Sequence, residues 1–292
     1  MTIQKLIAPN RRHLGGGFHV LRSLPALDCA SVGPFVFVDQ MGPLTLEAGQ
    51  GLDVRPHPHI GLATLTYLYE GAITHRDSLG SVATVNPGDV GWMVAGRGIV
   101  HSERSPDAWR EKAGPMLGLQ CWVALPSDLE ECEPSYVHVL AAALPAWNEA
   151  GVTCTLAVGS WRGRVSPVTG CSPTVFASLS FEPTACLSWN ADHEERAVFV
   201  VDGDLEVAGQ KVAAGELAVL TPKETVLLQA RAATRAVVLG GAPFLQSRHL
   251  SWNFVSTRPE RIDQARQAWT QYASPPFLQV PGETEFIPLP AA

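Results

Sequence analysis

Residues 64–93 read TLTYLYEGAITHRDSLGSVATVNPGDVGWM, and residues 196–220 read RAVFVVDGDLEVAGQKVAAGELAVL. Each runs through a β-rich segment, an acidic residue and glycine in a turn, more strand, and then PGD or AGE leading into another strand. Gly71 corresponds to Gly203, and Gly88 to Gly215. Self-similarity of this kind marks two related β domains. The runs GPFVFVDQM (33–41), GLQCWVAL (118–125) and TVFASLSF (174–181) share the same β-branched and aromatic texture. Frequent Gly and Pro, 26 and 23 copies, punctuate these runs at short intervals, so an all-β barrel or sandwich is expected.

One helical pattern stands out, RPERIDQARQAWTQYA at 258–273, where Ile262, Ala265 and Trp269 fall at helical spacing. Thr257 is placed to cap it. The Pro-rich SPPFLQVPGETEFIPLP (274–290) is expected to follow as an extended tail. The break between halves lies within 126–150, which divides the chain into domains 1–135 and 136–292, the second with the helix and tail.

The 292 residues are 46% hydrophobic and only 17% charged, enough to bury a substantial core. With 28 acidic against 21 basic residues and no basic run, direct nucleic-acid binding through phosphates is excluded as an expectation. An anionic membrane surface is an equally poor match, and no apolar run is long enough to span a bilayer. The opening MTIQKLIAPNRRHLGGG lacks the apolar core of an export signal, so a cytoplasmic location is expected. The six cysteines form no CxxC pair, which points to reduced thiols and away from a zinc ribbon.

The chemistry concentrates in two short pairs. In RPHPHIG (55–61), His57 and His59 stand at i and i+2, on one face of a strand and ~6.5 Å apart at the Cα atoms. Pro56 and Pro58 withhold two backbone donors, so this strand must be an edge, an entry or a bulge. Beyond the PGD turn, His101 and Glu103 repeat the i, i+2 spacing in GRGIVHSE (96–103). Together they offer three nitrogens and one carboxylate, suited to a catalytic divalent first-row metal with an open position. A lone histidine is more often a hydrogen-bonded structural residue, and His75 is assigned that role. His13, His19, His138, His193 and His249 carry no pairing signal. Trp92, Met93, Gln120 and Trp122 are candidates to line the cavity, with core packing favoured for the tryptophans. Only Arg55 and Arg97 flank the motifs, too few for a sugar-phosphate isomerase.

The runs VRPHPHIGLATLTYLYEG (54–71), HRDSLGS (75–81), PGDVGWMVAGRGIVHSE (87–103) and GLQCWVALP (118–126) resemble the pirin family of the cupin superfamily. The resemblance is specific over about residues 33–126 and looser over the C-terminal half. It implies two tandem cupin (jelly-roll-like) β-barrels with a short C-terminal helix. His57, His59 and Gly71 match the general cupin pattern, whereas Thr64 stands at its glutamate position. Pirins take their carboxylate two residues beyond the last histidine, here Glu103. The implied metal ligands are therefore His57, His59, His101 and Glu103. The same spacing in the second repeat falls on Trp189, Ala191, Arg196 and then Leu228 and Ala230, or Leu227 and Gln229 with a one-residue slip. A metal-free second cupin is expected.

Some bacterial members resemble quercetin 2,3-dioxygenases, which open the flavonol ring with O2 and release carbon monoxide. By that analogy the chain holds one divalent transition metal ion, Fe(II) first, with Cu, Ni, Mn, Zn or Co as other occupants. The expected partners are a small aromatic, flavonol-like substrate and O2, with Glu103 as the catalytic residue taking the substrate's 3-hydroxyl proton. The family also implies an alternative, a metal-binding, redox-responsive regulatory protein acting through a protein partner, such as a transcriptional co-regulator. The expected form is a monomer.

Overall fold

The computed structural model describes residues 2–15 and 18–290. Its regular structure is almost entirely β, with one multi-turn helix, Pro259–Trp269, and a single turn at Asp107–Arg110. No helix among the described residues is long and apolar enough to cross a membrane.

Two packed units divide the chain. One comprises Met1–Arg12, Leu21–Gln40 and Ala142–Phe244, the other His13–Val20, Met41–Ala141 and Leu245–Ala292. A cut after residue 135 separates the sequence repeats, but the packed units are discontinuous. The strand Ile3–Ile7 pairs with Leu217–Leu220 and so closes the open edge of the C-terminal repeat's sheet. The helix and the segment after it group with the N-terminal repeat.

In the first unit, the larger sheet runs from Ile3–Ile7 through Leu217–Leu220, Glu195–Asp202, Thr234–Gly241, Thr174–Phe181 and Val152–Trp161 to Ala146–Glu149. A four-stranded sheet orders Cys186–Trp189, Val226–Ala230, Asp204–Val207 and Gln210–Ala213. One apolar core draws on both, with Leu156, Val198, Leu205 and Leu228 among its members. Period-two alternation puts Val226, Leu228 and Ala230 inside and leaves Leu227 and Gln229 exposed. The unslipped register of the repeat is therefore the one that holds. At the inward positions, Trp189 is 0% and Arg196 1% exposed. The Arg196 guanidinium donates to the carbonyls of Asn190 (3.1 Å), Thr221 (3.2 Å) and Glu224 (2.6 Å).

In the second unit, Ser135–Val139, Val90–Val94, Leu62–Glu70 and Gly114–Ala124 lie side by side. A four-stranded sheet orders Asp53–His59, Ile99–Arg104, Ile73–Asp77 and Val82–Val85. Side chains alternate across it, so the histidines face one way while Ile60 and Val100 face the other. That far face packs under Ile262, Ala265 and Trp269 of the helix, together with Phe254, Phe277 and Val280.

The helix begins at Pro259, whose missing N–H suits the first helical position, and Thr257 does not cap it. Thr257 instead donates its backbone N–H and hydroxyl to Glu130, at 2.9 and 3.1 Å, because that buried carboxylate is the stronger acceptor nearby. The segment beyond the helix lacks regular structure, as its prolines predict, yet it is packed. Phe277 and Val280 are fully buried, Trp269 Nε1 donates to the Ile287 carbonyl, and the Ile287 N–H donates to the Pro56 carbonyl at 2.8 Å.

Candidate metal centre

The strand Asp53–His59 is an edge of its sheet, and it is bulged. His59 stands opposite Ile99 and His57 opposite His101, after which the register slips so that Glu103 faces Val54. Arg55 and Pro56 thus share the space opposite Ser102, the two-against-one count of a β-bulge. The prolines sit where the ladder needs no donor from them. His101 and Asp77 are paired across the next strand, as are Glu103 and His75. Two adjacent rows result, His57–His101–Asp77 and Glu103–His75.

The imidazoles of His57, His59 and His101 converge, with one ligand nitrogen from each lying within 4.8 Å of the others. Their ring centroids are 4.4 to 5.0 Å apart. Nδ1 of His57 is 2.9 Å from the Arg55 carbonyl, and Nδ1 of His59 is 3.1 Å from the Asn253 carbonyl. A carbonyl only accepts, so both rings carry their proton on Nδ1 and keep Nε2 as a lone pair. Nε2 of His101 is buried with no hydrogen-bond partner. An orphaned buried nitrogen beside two lone-pair nitrogens is a donor set lacking an acceptor, which a divalent transition ion would satisfy.

Electrostatics keep the set neutral. Burial lowers His57 to about 4, outweighing its bond to the Arg55 carbonyl. Burial and the neighbouring His57 hold His59 well below the usual histidine value, and His101 is depressed in the same way. At neutral pH all three offer lone pairs and need lose no proton to bind metal.

Glu103 is buried on the same sheet, but its carboxylate stands outside the close nitrogen group. The Thr66 hydroxyl lies between Glu103 Oε1 at 3.2 Å and Gln120 Oε1 at 2.8 Å, tethering the carboxylate toward the strand Leu62–Glu70. Burial raises the Glu103 pKa, and the neighbouring His75 and the bonds from Thr66 and Gln120 only partly offset this. Thr66 was not singled out by motif. Its signal was parity, since it shares a face with Thr64 two residues earlier. Gln120 and Trp122 pair with Thr66 and Thr64 across the sheet and do face the site, Trp122 standing edge-on to His59 at 5.1 Å. Met93 packs with Ala95 and Ile99, and Trp92, one residue off in parity, is core on the opposite face. His75 lies inside the strand Ile73–Asp77. It is 4% exposed, with Nδ1 3.4 Å from His101 Nδ1.

Two family models match the chain, Pirin over residues 17–123 and the Pirin C-terminal cupin domain over residues 176–274. A pirin-like protein of Caulobacter vibrioides is 43% identical over 98% of this chain and 99% of its own length. The chain belongs to the pirin family. Its two cupin domains make this pirin a bicupin. Solved structures of quercetin 2,3-dioxygenases from Acinetobacter baumannii are similar throughout. One has a TM-score of 0.92 and 30% identity, covering 99% of this chain and 95% of that one. A second has a TM-score of 0.86 and 25% identity, covering 93% and 97%.

Proposed function

We propose that this pirin is a metal-dependent dioxygenase of the quercetin 2,3-dioxygenase type, with His57, His59, His101 and Glu103 as its functional set. The observation that carries the proposal is the convergence of three buried, neutral imidazoles, one with an orphaned Nε2. The similarity to quercetin 2,3-dioxygenase structures supports the substrate class. The reaction takes one flavonol and one O2 to one ring-opened ester and one carbon monoxide. A bound redox-active ion, Fe(II) foremost, would supply Lewis acidity and the contact between substrate and O2.

The chain's own residues handle the proton and the geometry. The Arg55 and Asn253 carbonyls fix the rings of His57 and His59, so those nitrogens need little reorganisation on binding an ion. Glu103, its pKa raised by burial, is a stronger base than a surface carboxylate and would accept the proton of the flavonol 3-hydroxyl. Thr66 fixes the position of that carboxylate beside the strand Leu62–Glu70. Trp122, edge-on to His59, offers an aromatic surface beside the polar Thr64, Thr66 and Gln120, a setting suited to a flat, hydroxylated ring. In the other cupin, Trp189, Arg196 and Leu228 fill the corresponding interior positions, in keeping with a domain that holds no metal.

The regulatory alternative would need a surface for a protein partner, and the amphipathic helix Pro259–Trp269 does not supply one. Its apolar stripe is buried within its own unit, against Phe254 and Phe277, and offers no free docking face. The decisive experiment loads anaerobically purified protein with Fe(II), confirms the metal content, and adds quercetin in air. Oxygen uptake with matching carbon monoxide release is expected, and neither appearing with metal bound would sink the proposal.

A further inference from the structure

His57 and His59 are oriented by backbone carbonyls, but His101 is not. Its Nδ1 meets another side chain, Nδ1 of His75 at 3.4 Å, and Nε2 of His75 lies 3.0 Å from Asp77 Oδ2. Asp77 is completely buried, and its other oxygen accepts the backbone N–H groups of Leu79 (2.9 Å) and Ser81 (3.0 Å). The face of His75 is stacked on Tyr136, with centroids 3.8 Å apart and planes within 4°.

We propose that Asp77 and His75 form a hydrogen-bond relay that fixes the tautomer of His101 and aims its Nε2 into the metal site. The logic is one of donors and acceptors. An ionised carboxylate can only accept, so His75 must donate from Nε2. With its ring proton on Nε2, His75 presents a lone pair on Nδ1, and its partner there, His101 Nδ1, donates. The proton on Nδ1 leaves His101 Nε2 as the lone pair, the same state that backbone carbonyls impose on His57 and His59. The Tyr136 ring sets the plane in which His75 meets both neighbours. His75 and Asp77 are thus positioning residues, acting on the metal through His101. The relay also makes His101 the one histidine of the three whose outer partner is a side chain, open to tuning by substitution. The inference rests on the metal-site assignment but not on dioxygenase activity.

The test uses uniformly 15N-labelled full-length protein with Zn(II) as a diamagnetic probe. Long-range 1H–15N correlation reads each histidine tautomer, and chelator competition reads zinc affinity. In wild type, His57, His59 and His101 should all carry a proton on Nδ1 and shift at Nε2 on zinc addition. His75→Phe keeps the stack on Tyr136 but removes the acceptor, and affinity should fall by about 10–100-fold. His75→Gln loses the stack but restores an acceptor oxygen, so its affinity should stay near that of wild type. Asp77→Asn offers an amide donor to His75 Nε2, moves the His75 proton to Nδ1, and should mix the His101 tautomers while sparing His57 and His59. Wild-type zinc affinity and an unmixed Nδ1–H tautomer of His101 in both His75→Phe and Asp77→Asn would overturn the relay alone. Failure of zinc to shift the three histidines in wild type would overturn the metal site and the relay together. Zinc binding with an intact relay response, but no quercetin turnover with iron, would leave the relay standing and reject only the enzyme.

Discussion

Glu103 shares a buried sheet face with three histidines and differs from them in what burial does to its proton. Desolvation favours the neutral form of every group, so it lowers the histidines and raises the glutamate. A base with a raised pKa inside an apolar site is suited to take a phenolic proton. Glu103→Gln keeps the shape and the contact with Thr66 but cannot accept a proton. Its turnover of quercetin should fall by about 10²–10⁴-fold. Bound metal, measured by elemental analysis, should remain, because the three imidazoles form the close group without it. Loss of metal in step with activity would make Glu103 a ligand first and a base second. The histidines also set a pH dependence for the metal-free protein. His57 titrates at about 4 when folded, against about 6.5 unfolded. Between those values the unfolded chain binds more protons, so stability is full above pH 6.5 and declines as pH falls toward 4. For His57 alone the loss is on the order of 3 kcal/mol. Glu103 has the opposite sign, its contribution being largest at low pH and lost as pH rises through its elevated folded value. Urea midpoints between pH 7.5 and 4.5 should therefore fall with acidity, and a flat profile would show that the histidines are not buried neutral.

The elements around the site show which local signals survive tertiary packing. The two i, i+2 pairs were legible because a strand fixes their common face regardless of its neighbours. The prolines announced an edge or bulge, and both are present. The histidine relay was not legible, since His75 and His101 are 26 residues apart and meet only through strand register. Thr257 failed as a cap for a similar reason, with Glu130 arriving from a distant segment. Gly61 illustrates the same limit. It follows the histidine strand at φ 67°, donates to the Gly96 carbonyl and accepts from Leu125, while a Cβ would collide with the Val255 carbonyl. Sequence marks it as a turn residue, but only packing shows why no side chain fits. Gly61→Ala should destabilise the protein by more than ~1 kcal/mol and weaken metal binding, because His59 is two residues away. Guanidinium unfolding and a metal titration check this, and a wild-type midpoint would reject it.

At the scale of the whole molecule, the repeat made two β-barrels legible, but not which chain ends complete them. Edge strands and apolar faces are closed by whatever segment packs there, so sequence order is a poor guide to membership. The repeat also concealed a divergence of interior chemistry. Where the unit with the histidine cluster has Thr64, its counterpart has Arg196, a buried guanidinium that donates to the carbonyls of Asn190, Thr221 and Glu224 and lies 5.2 Å from the Trp189 ring centroid. A cation built into the chain occupies a barrel interior that otherwise is apolar, and it ties together segments either side of the strand Leu217–Leu220. Arg196→Met matches much of the volume but leaves those carbonyls without their donor. The cost should be on the order of 2–4 kcal/mol, read as a lower denaturant midpoint. All four proposed site residues belong to the other unit, so zinc stoichiometry and the tautomers of His57, His59 and His101 should be unchanged at 15 °C below the variant's own midpoint temperature. A shift in either would mean that Arg196 serves the metal centre and not merely its own barrel. An unchanged midpoint would mean that water replaces the guanidinium at no cost.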